Sequence, residues 1–210
     1  MAFGYYMNME RLSLEIAKEH INLMEDNIQD AQIEEFLDID KTVTNIKNGF
    51  VAITQLIIFI ESFFNTVITT CMLNKKELFL KMSIDEKLEL ICMYYRKDAT
   101  KIKSIHYWET FKKMNKIRNE LVHYKNSFLC DSTGIQDFNI ANTSIRNYFV
   151  KSNMVDIMKQ VIQLGNHIAN ILNLKINKEV NIIECDAKDG LVSYVFDSDI
   201  VDIDPDRKLN

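Results

Sequence analysis

The densest gathering of chemically capable side chains lies at residues 114–125, which read Met-Asn-Lys-Ile-Arg-Asn-Glu-Leu-Val-His-Tyr-Lys. Arg118, Asn119 and His123 are polar groups set between Ile117, Leu121 and Val122, toward the end of a helical pattern. A guanidinium is a permanent, multiply donating anion ligand, and an imidazole with a pKa of about 6.5 exchanges protons near neutrality. Together they suit proton transfer beside a held anion. Five residues of α-helix separate Arg118 from His123, a rotation of about 140° and a rise of about 7.5 Å. The two do not face each other squarely on one helix, but both reach a groove where two helices or two subunits meet. Asn119 precedes His123 by one helical turn, where it can hydrogen-bond the ring and set its tautomer. Lys112, Lys113, Lys116 and Lys125 surround the group.

Other chemistries find no support in the residues. His20, His106 and His167 have no acid or histidine one turn further on, and read as ordinary helix-surface or hydrogen-bonded residues. The chain has no Gly-rich phosphate loop, no HExxH and no GxSxG, and its five glycines cannot supply a dinucleotide-binding fold. The four cysteines, at 71, 92, 130 and 185, show no CxxC or other metal-ligand spacing. Three of them lie in or beside apolar stretches and read as small buried hydrophobes, and the set is not a disulfide framework. No metal and no cofactor is called for.

The net charge of -5 excludes a uniformly basic nucleic-acid coat, but charge is unevenly spread. Residues 1–40 carry ten acidic and two basic side chains, and residues 176–210 carry nine acids against four bases. Residues 96–125 reverse this, with nine Lys or Arg against three acids, so the basic surplus coincides with the Arg118 segment.

The elements that position this segment are helices. One proline and five glycines in 210 residues leave few turns, and 47% apolar residues supply a sizeable core. Helices are expected at about 9–27, 43–73, 83–95, 104–122 and 144–172, with a linker or minor helix at 31–39. Ser83 with Glu86 three residues on forms a capping box. Residues 96–103 read as a loop or frayed turn, and residues 126–143 as a connector. The second helix is apolar on nearly all sides in its middle, which marks the central element of a bundle. Its most apolar run, residues 50–60, is too short for a bilayer and is followed by Glu61, so no membrane association is expected. The N-terminus lacks the basic and apolar regions of a signal peptide, and a cytoplasmic location is expected. Beyond residue 176 the period changes: residues 180–185 and 191–196, joined through Asp189-Gly190, read as a β-hairpin followed by an acidic tail. The expected fold class is therefore mainly α, a helical bundle over residues 1–175 with an acidic hairpin and tail over 176–210.

Arg118-Asn119-Glu120-Leu121-Val122-His123 resembles the RNxxxH form of the Arg-x4-6-His motif of the HEPN superfamily (higher eukaryotes and prokaryotes nucleotide-binding domains). The approach Phe111-x-x-Met114-x-x-Ile117 and the all-helical layout with a long central helix are similar too. Glu61-Ser62-Phe63-Phe64-Asn65 resembles the glutamate and asparagine found one turn apart on that helix in many members. Glu61 and Asn65 share a helix face and need a polar partner, for which Arg118 or Asn119 is the expected candidate. The resemblance spans residues 10–175.

It implies a metal-independent endoribonuclease. The ribose 2′-OH would attack the adjacent phosphorus to leave a 2′,3′-cyclic phosphate and a 5′-OH. His123 would accept or donate the proton, Arg118 would hold the scissile phosphate, and Asn119 would orient His123 or donate to the phosphate. Lys112, Lys113, Lys116, Tyr124 and Lys125 would contact RNA, with Glu61 and Asn65 in support. One histidine per chain leaves a proton-transfer role unfilled, so the resemblance implies a homodimer with the site at its two-fold interface. Standalone members also resemble toxins or abortive-infection proteins of antiviral defence, under a regulatory or antitoxin partner. The alternative is a non-catalytic module for binding RNA or protein.

Overall fold

The computed structural model describes residues 9–25, 39–71, 76–123 and 147–172. Seven helices are described: α1 (Met9–Asn22), α2 (Ile39–Cys71), α3 (Lys76–Phe79), α4 (Ile84–Tyr94), α5 (Thr100–Lys103), α6 (His106–His123) and α7 (Lys151–Leu172). They form a mainly α bundle around one apolar core. The linker at 31–38, the connector at 126–143 and the hairpin and tail beyond residue 176 lie outside the described residues.

The long helix α2 is the hub. Ala52, Ile53, Leu56, Phe59, Ile60, Phe64, Val67 and Ile68 are buried along it, because α1, α4, α6 and α7 cover different faces. By length and composition Val43–Thr69 would suffice to cross a membrane, yet more than half of its most apolar stretch is buried against the protein's own helices. Length alone therefore does not separate the two settings, and burial accounts for the apolar composition here.

The helix α1 lies antiparallel along α2. Thr66 donates to the buried Glu10 at one end of the seam, and His20 Nδ1 meets Asn48 Oδ1 at 2.9 Å near the other. The helix ends at Asn22 rather than near residue 27. Asn45, 1% exposed, takes hold of the departing chain: its Oδ1 accepts from Glu25 N at 2.8 Å and its Nδ2 donates to Glu25 O at 3.2 Å. A side chain twenty residues away thus competes with continuation of the helix.

The capping box of α4 forms as its spacing predicts. Glu86 N donates to Ser83 Oγ at 3.4 Å, and Ser83 N donates to Glu86 Oε2 at 2.7 Å. At the other end Arg96 adopts φ 53, while Arg96 N reaches Met93 O and Lys97 N reaches Cys92 O at 2.8 Å. These paired bonds close the helix in a Schellman turn, with arginine in the left-handed position usually given to glycine. The following segment is ordered rather than frayed. Asp98 Oδ1 accepts from Thr100 N and Oγ1 at 2.9 and 2.7 Å at the start of α5, which holds the Asp98 carboxyl below its usual range.

Helices α6 and α7 are also antiparallel, since Thr110 donates to Gln160 while Lys113 sits over Tyr148. The chain does not run as one helix from residue 144, because it bends at Phe149 and Val150 before α7 begins. Asn153 Nδ2 donates to Tyr148 O at 2.7 Å across the bend. The bend carries the Phe149 ring onto Gly49 of α2, where a Cβ would collide with it. Glycine within a helix is explained here by that close approach.

Candidate functional site

The core-facing stripe of α6 begins with Trp108, Phe111 and Met114, all buried. One turn past Met114 the stripe turns polar. Ile117, Arg118, Asn119 and Leu121 are half-buried there, and Val122 is exposed. Basic groups at a helix C-terminus sit favourably against the negative end of its macrodipole. Arg118 is half-buried at the edge of the core, a setting in which an arginine stem can pack while its head reaches water.

Arg118 Nη1 donates to Asn119 Oδ1 at 2.6 Å. Among the described residues no carboxylate pairs with Arg118. The expected partnership with Glu61 or Asn65 does not form. Glu61 instead accepts from Lys87 of α4 at 2.8 Å, and Asn65 Oδ1 is buried with no hydrogen-bond partner among the described residues. Bundle register explains this. Lys113, in the first half of α6, lies over Tyr148, and the adjacent Phe149 packs on Gly49, so the middle of α6 lies toward the Gly49 end of α2. From residue 49 to residue 61 α2 rises about 18 Å. Glu61 is thereby given to Lys87 of α4, and among the described residues no hydrogen bond or ion pair joins Glu61 or Asn65 to the Arg118 segment.

Lys112, Lys113 and Lys116 are exposed on the outer side of α6. The Lys113 ammonium stands 5.8 Å above the Tyr148 ring, and Lys116 is 3.8 Å from Glu120. Helical register places residue 123, the last of α6, one turn beyond Asn119. The His123 side chain, Tyr124 and Lys125 lie outside the described residues.

Three features escaped the sequence reading. Lys87 has a side chain with no exposure at all and spends its charge on Glu61. Its signal was present, since residue 87 falls in the apolar stripe of Ile84, Leu88, Ile91 and Cys92. Asn115 is half-buried one turn before Asn119, extending the polar stretch of α6 toward the core. Tyr148 carries a buried hydroxyl with no hydrogen-bond partner among the described residues, and burial pushes its pKa up.

The described residues contain no group of three or more His, Cys, Asp and Glu able to hold a metal ion. The buried Cys92 thiol is pushed up to about 11, mainly by desolvation, which makes it a poor nucleophile. What the α6 terminus offers chemically is a cation beside an amide, with exposed lysines two, five and six residues earlier. Compared with protein-family models, with curated proteins and with solved structures, the chain matches none of them.

Proposed function

We propose that this protein is a metal-independent endoribonuclease of HEPN type, acting in the cytoplasm as a toxin or in antiviral defence. The observation that carries the reading is Arg118 itself. Its guanidinium is oriented by a neutral amide and joined to no described carboxylate, so its charge stays available to a ligand. An arginine serving only the fold would be expected to pair with a buried acid, and the acid best placed by sequence, Glu61, is committed to Lys87.

In the proposed reaction the 2′-oxygen of RNA forms a bond to the adjacent phosphorus and the bond from phosphorus to the 5′-oxygen breaks. The 2′-OH proton goes to a base, and the departing 5′-oxygen receives a proton from an acid. Water is neither consumed nor made, and the ends are a 2′,3′-cyclic phosphate and a 5′-OH. Arg118 holds the scissile phosphate and offsets charge growing on its non-bridging oxygens. His123 fills one proton-transfer role, and a second copy of the chain across a two-fold axis supplies the other. Lys112, Lys113 and Lys116 lie where they would steer the RNA backbone toward Arg118. Control by a regulatory or antitoxin partner belongs to the same reading.

The pairing of Glu61 with Lys87, and not with the Arg118 segment, favours a second reading, a non-catalytic module that binds RNA or protein through the same face of α6. Cleavage of total RNA and tRNA in EDTA, with end-group analysis, decides between them. The enzyme reading expects cyclic phosphates from the wild type and none from Arg118→Ala or His123→Ala proteins that remain folded with unchanged oligomeric state. Equal cleavage by all three proteins contradicts the assignment.

A further inference from the structure

The cations of α6 have little acid to balance them. Lys112, Lys113 and Lys116 are exposed, Arg118 is half-buried beside Asn119, and Val122 is an exposed apolar side chain further along the same helix. Among the described residues the one carboxylate in ion-pair range of these four cations is Glu120, 3.8 Å from Lys116. Residues 197–206 carry the complementary pattern in sequence. They read Asp-Ser-Asp-Ile-Val-Asp-Ile-Asp-Pro-Asp, five acids and no base, interleaved with Ile200, Val201 and Ile203. Two residues of extended chain span about 6.8 Å, close to the rise of about 6 Å between Lys112 and Lys116, which lie four residues apart on the helix.

The chain is long enough to bring the two together. Helices α6 and α7 are antiparallel with Thr110 against Gln160, so Leu172 lies about 27 Å along the bundle from Lys116. Asp197 follows Leu172 by 25 residues, and a flexible coil of that length has an end-to-end distance of about 25–30 Å. We propose that residues 197–206 form an intramolecular cover for the cationic face of α6, laying aspartates on Lys112, Lys113, Lys116 and Arg118 and aliphatic side chains toward Val122. Exposed ion pairs are individually weak, but tethering supplies an effective concentration on the order of millimolar. A polyanion then binds this face only by displacing the cover, which sets a threshold on the anions that succeed. That the displacing polyanion is RNA rests on the proposed ribonuclease reading; the cover itself does not.

Lysine acylation read by mass spectrometry tests the contact on the full chain. The wild type is compared with a variant carrying Asp197→Asn, Asp199→Asn, Asp202→Asn, Asp204→Asn and Asp206→Asn, with the exposed Lys47 and Lys81 as references. Lys112, Lys113 and Lys116 should react about threefold faster or more in the variant, the scale of an exposed ion pair, while the references change little. Affinity for a single-stranded DNA oligonucleotide, which offers phosphates but no 2′-OH and so is not cleaved by that route, should rise by about tenfold in the variant at low salt. Equal reactivity of the α6 lysines in the two proteins overturns the cover, as does an equal rise at Lys47 and Lys81. Protection that fades on dilution by about a hundredfold would place the cover on a second copy and overturn the intramolecular form. A variant with unmasked lysines and tighter DNA binding that cleaves no RNA would keep the cover and remove the nuclease; RNA cleavage with the α6 lysines equally reactive in both proteins would do the reverse.

Discussion

Lys87 and Arg118 are two cations on helices that both pack against α2, and their surroundings are opposite. Lys87 has no exposed surface, and its ammonium is spent on Glu61, whose side chain is 43% exposed. Arg118 is half-buried, is joined to a neutral amide, and has no described carboxylate against it. A desolvated ammonium must be paired or the helix that carries it cannot pack. A guanidinium at the rim of the core has no such requirement, because its head keeps contact with water. The first cation therefore reads as part of the fold, and the second as free to meet a ligand.

This contrast breaks most visibly at Glu61. Glu61→Ala should cost about 2–4 kcal/mol, because it strands the Lys87 ammonium out of water; the partial exposure of Glu61 keeps the cost below that of a fully buried pair. Lys87→Met should cost much less, since it removes the charge, keeps the stem and leaves Glu61 to water. Urea denaturation of both variants checks the asymmetry, and equal losses would mean that the pair is not desolvated as described.

Gly49→Ala is the next largest. Alanine would favour α2 by about 1 kcal/mol on helix propensity alone. The added Cβ meets the Phe149 ring, however, and the net outcome should be a loss of about 1–3 kcal/mol. Rescue by shrinking the ring, in a Gly49→Ala with Phe149→Leu double variant, would tie the effect to that contact and to the bend that aims α7.

Ser83→Ala should cost about 1 kcal/mol through loss of the α4 cap. It should also alter the acid limb of the stability profile. The Ser83 hydroxyl and backbone N–H hold the Glu86 carboxyl below its ordinary value. That contribution is fully present above the unfolded carboxylate pKa and is lost as pH falls through the lowered folded-state value. The wild type should thus lose more of its stability than Ser83→Ala over that acidic window, and the difference should narrow as the pH falls.

How much of this could be read before the structure depends on how local each feature is. The helices follow from apolar residues recurring at three and four positions, and the α4 start follows from Ser83 and Glu86, which lie within one turn. Helix ends were less legible. The end of α1 is set by Asn45 and the start of α7 by the fit of Phe149 on Gly49, and neither partner is near in sequence. The polar segment Arg118-Asn119 was visible as polarity interrupting a stripe, but its pairing was not. Chemistry and the shared helix face match Glu61 and Asn65 to Arg118 or Asn119, whereas the packing of α2 against α4 gives Glu61 to Lys87. Lys87 itself was legible only by position, since its charge argued for exposure while its place in the α4 stripe argued for burial.

The smallest expected effect on stability is the most telling for function. Arg118→Ala should shift unfolding by less than about 1 kcal/mol, because no buried charge is left without a partner. The same substitution should lower RNA cleavage by about a hundredfold or more, the cost of losing a preorganised donor to a developing charge. We would therefore measure thermal unfolding and cleavage of tRNA in EDTA on the same Arg118→Ala preparation, beside the wild type. A near-wild-type melting temperature with cyclic-phosphate products lost is the result this account predicts. An Arg118→Ala protein that unfolds like Glu61→Ala, or one that cleaves as fast as the wild type, would contradict it.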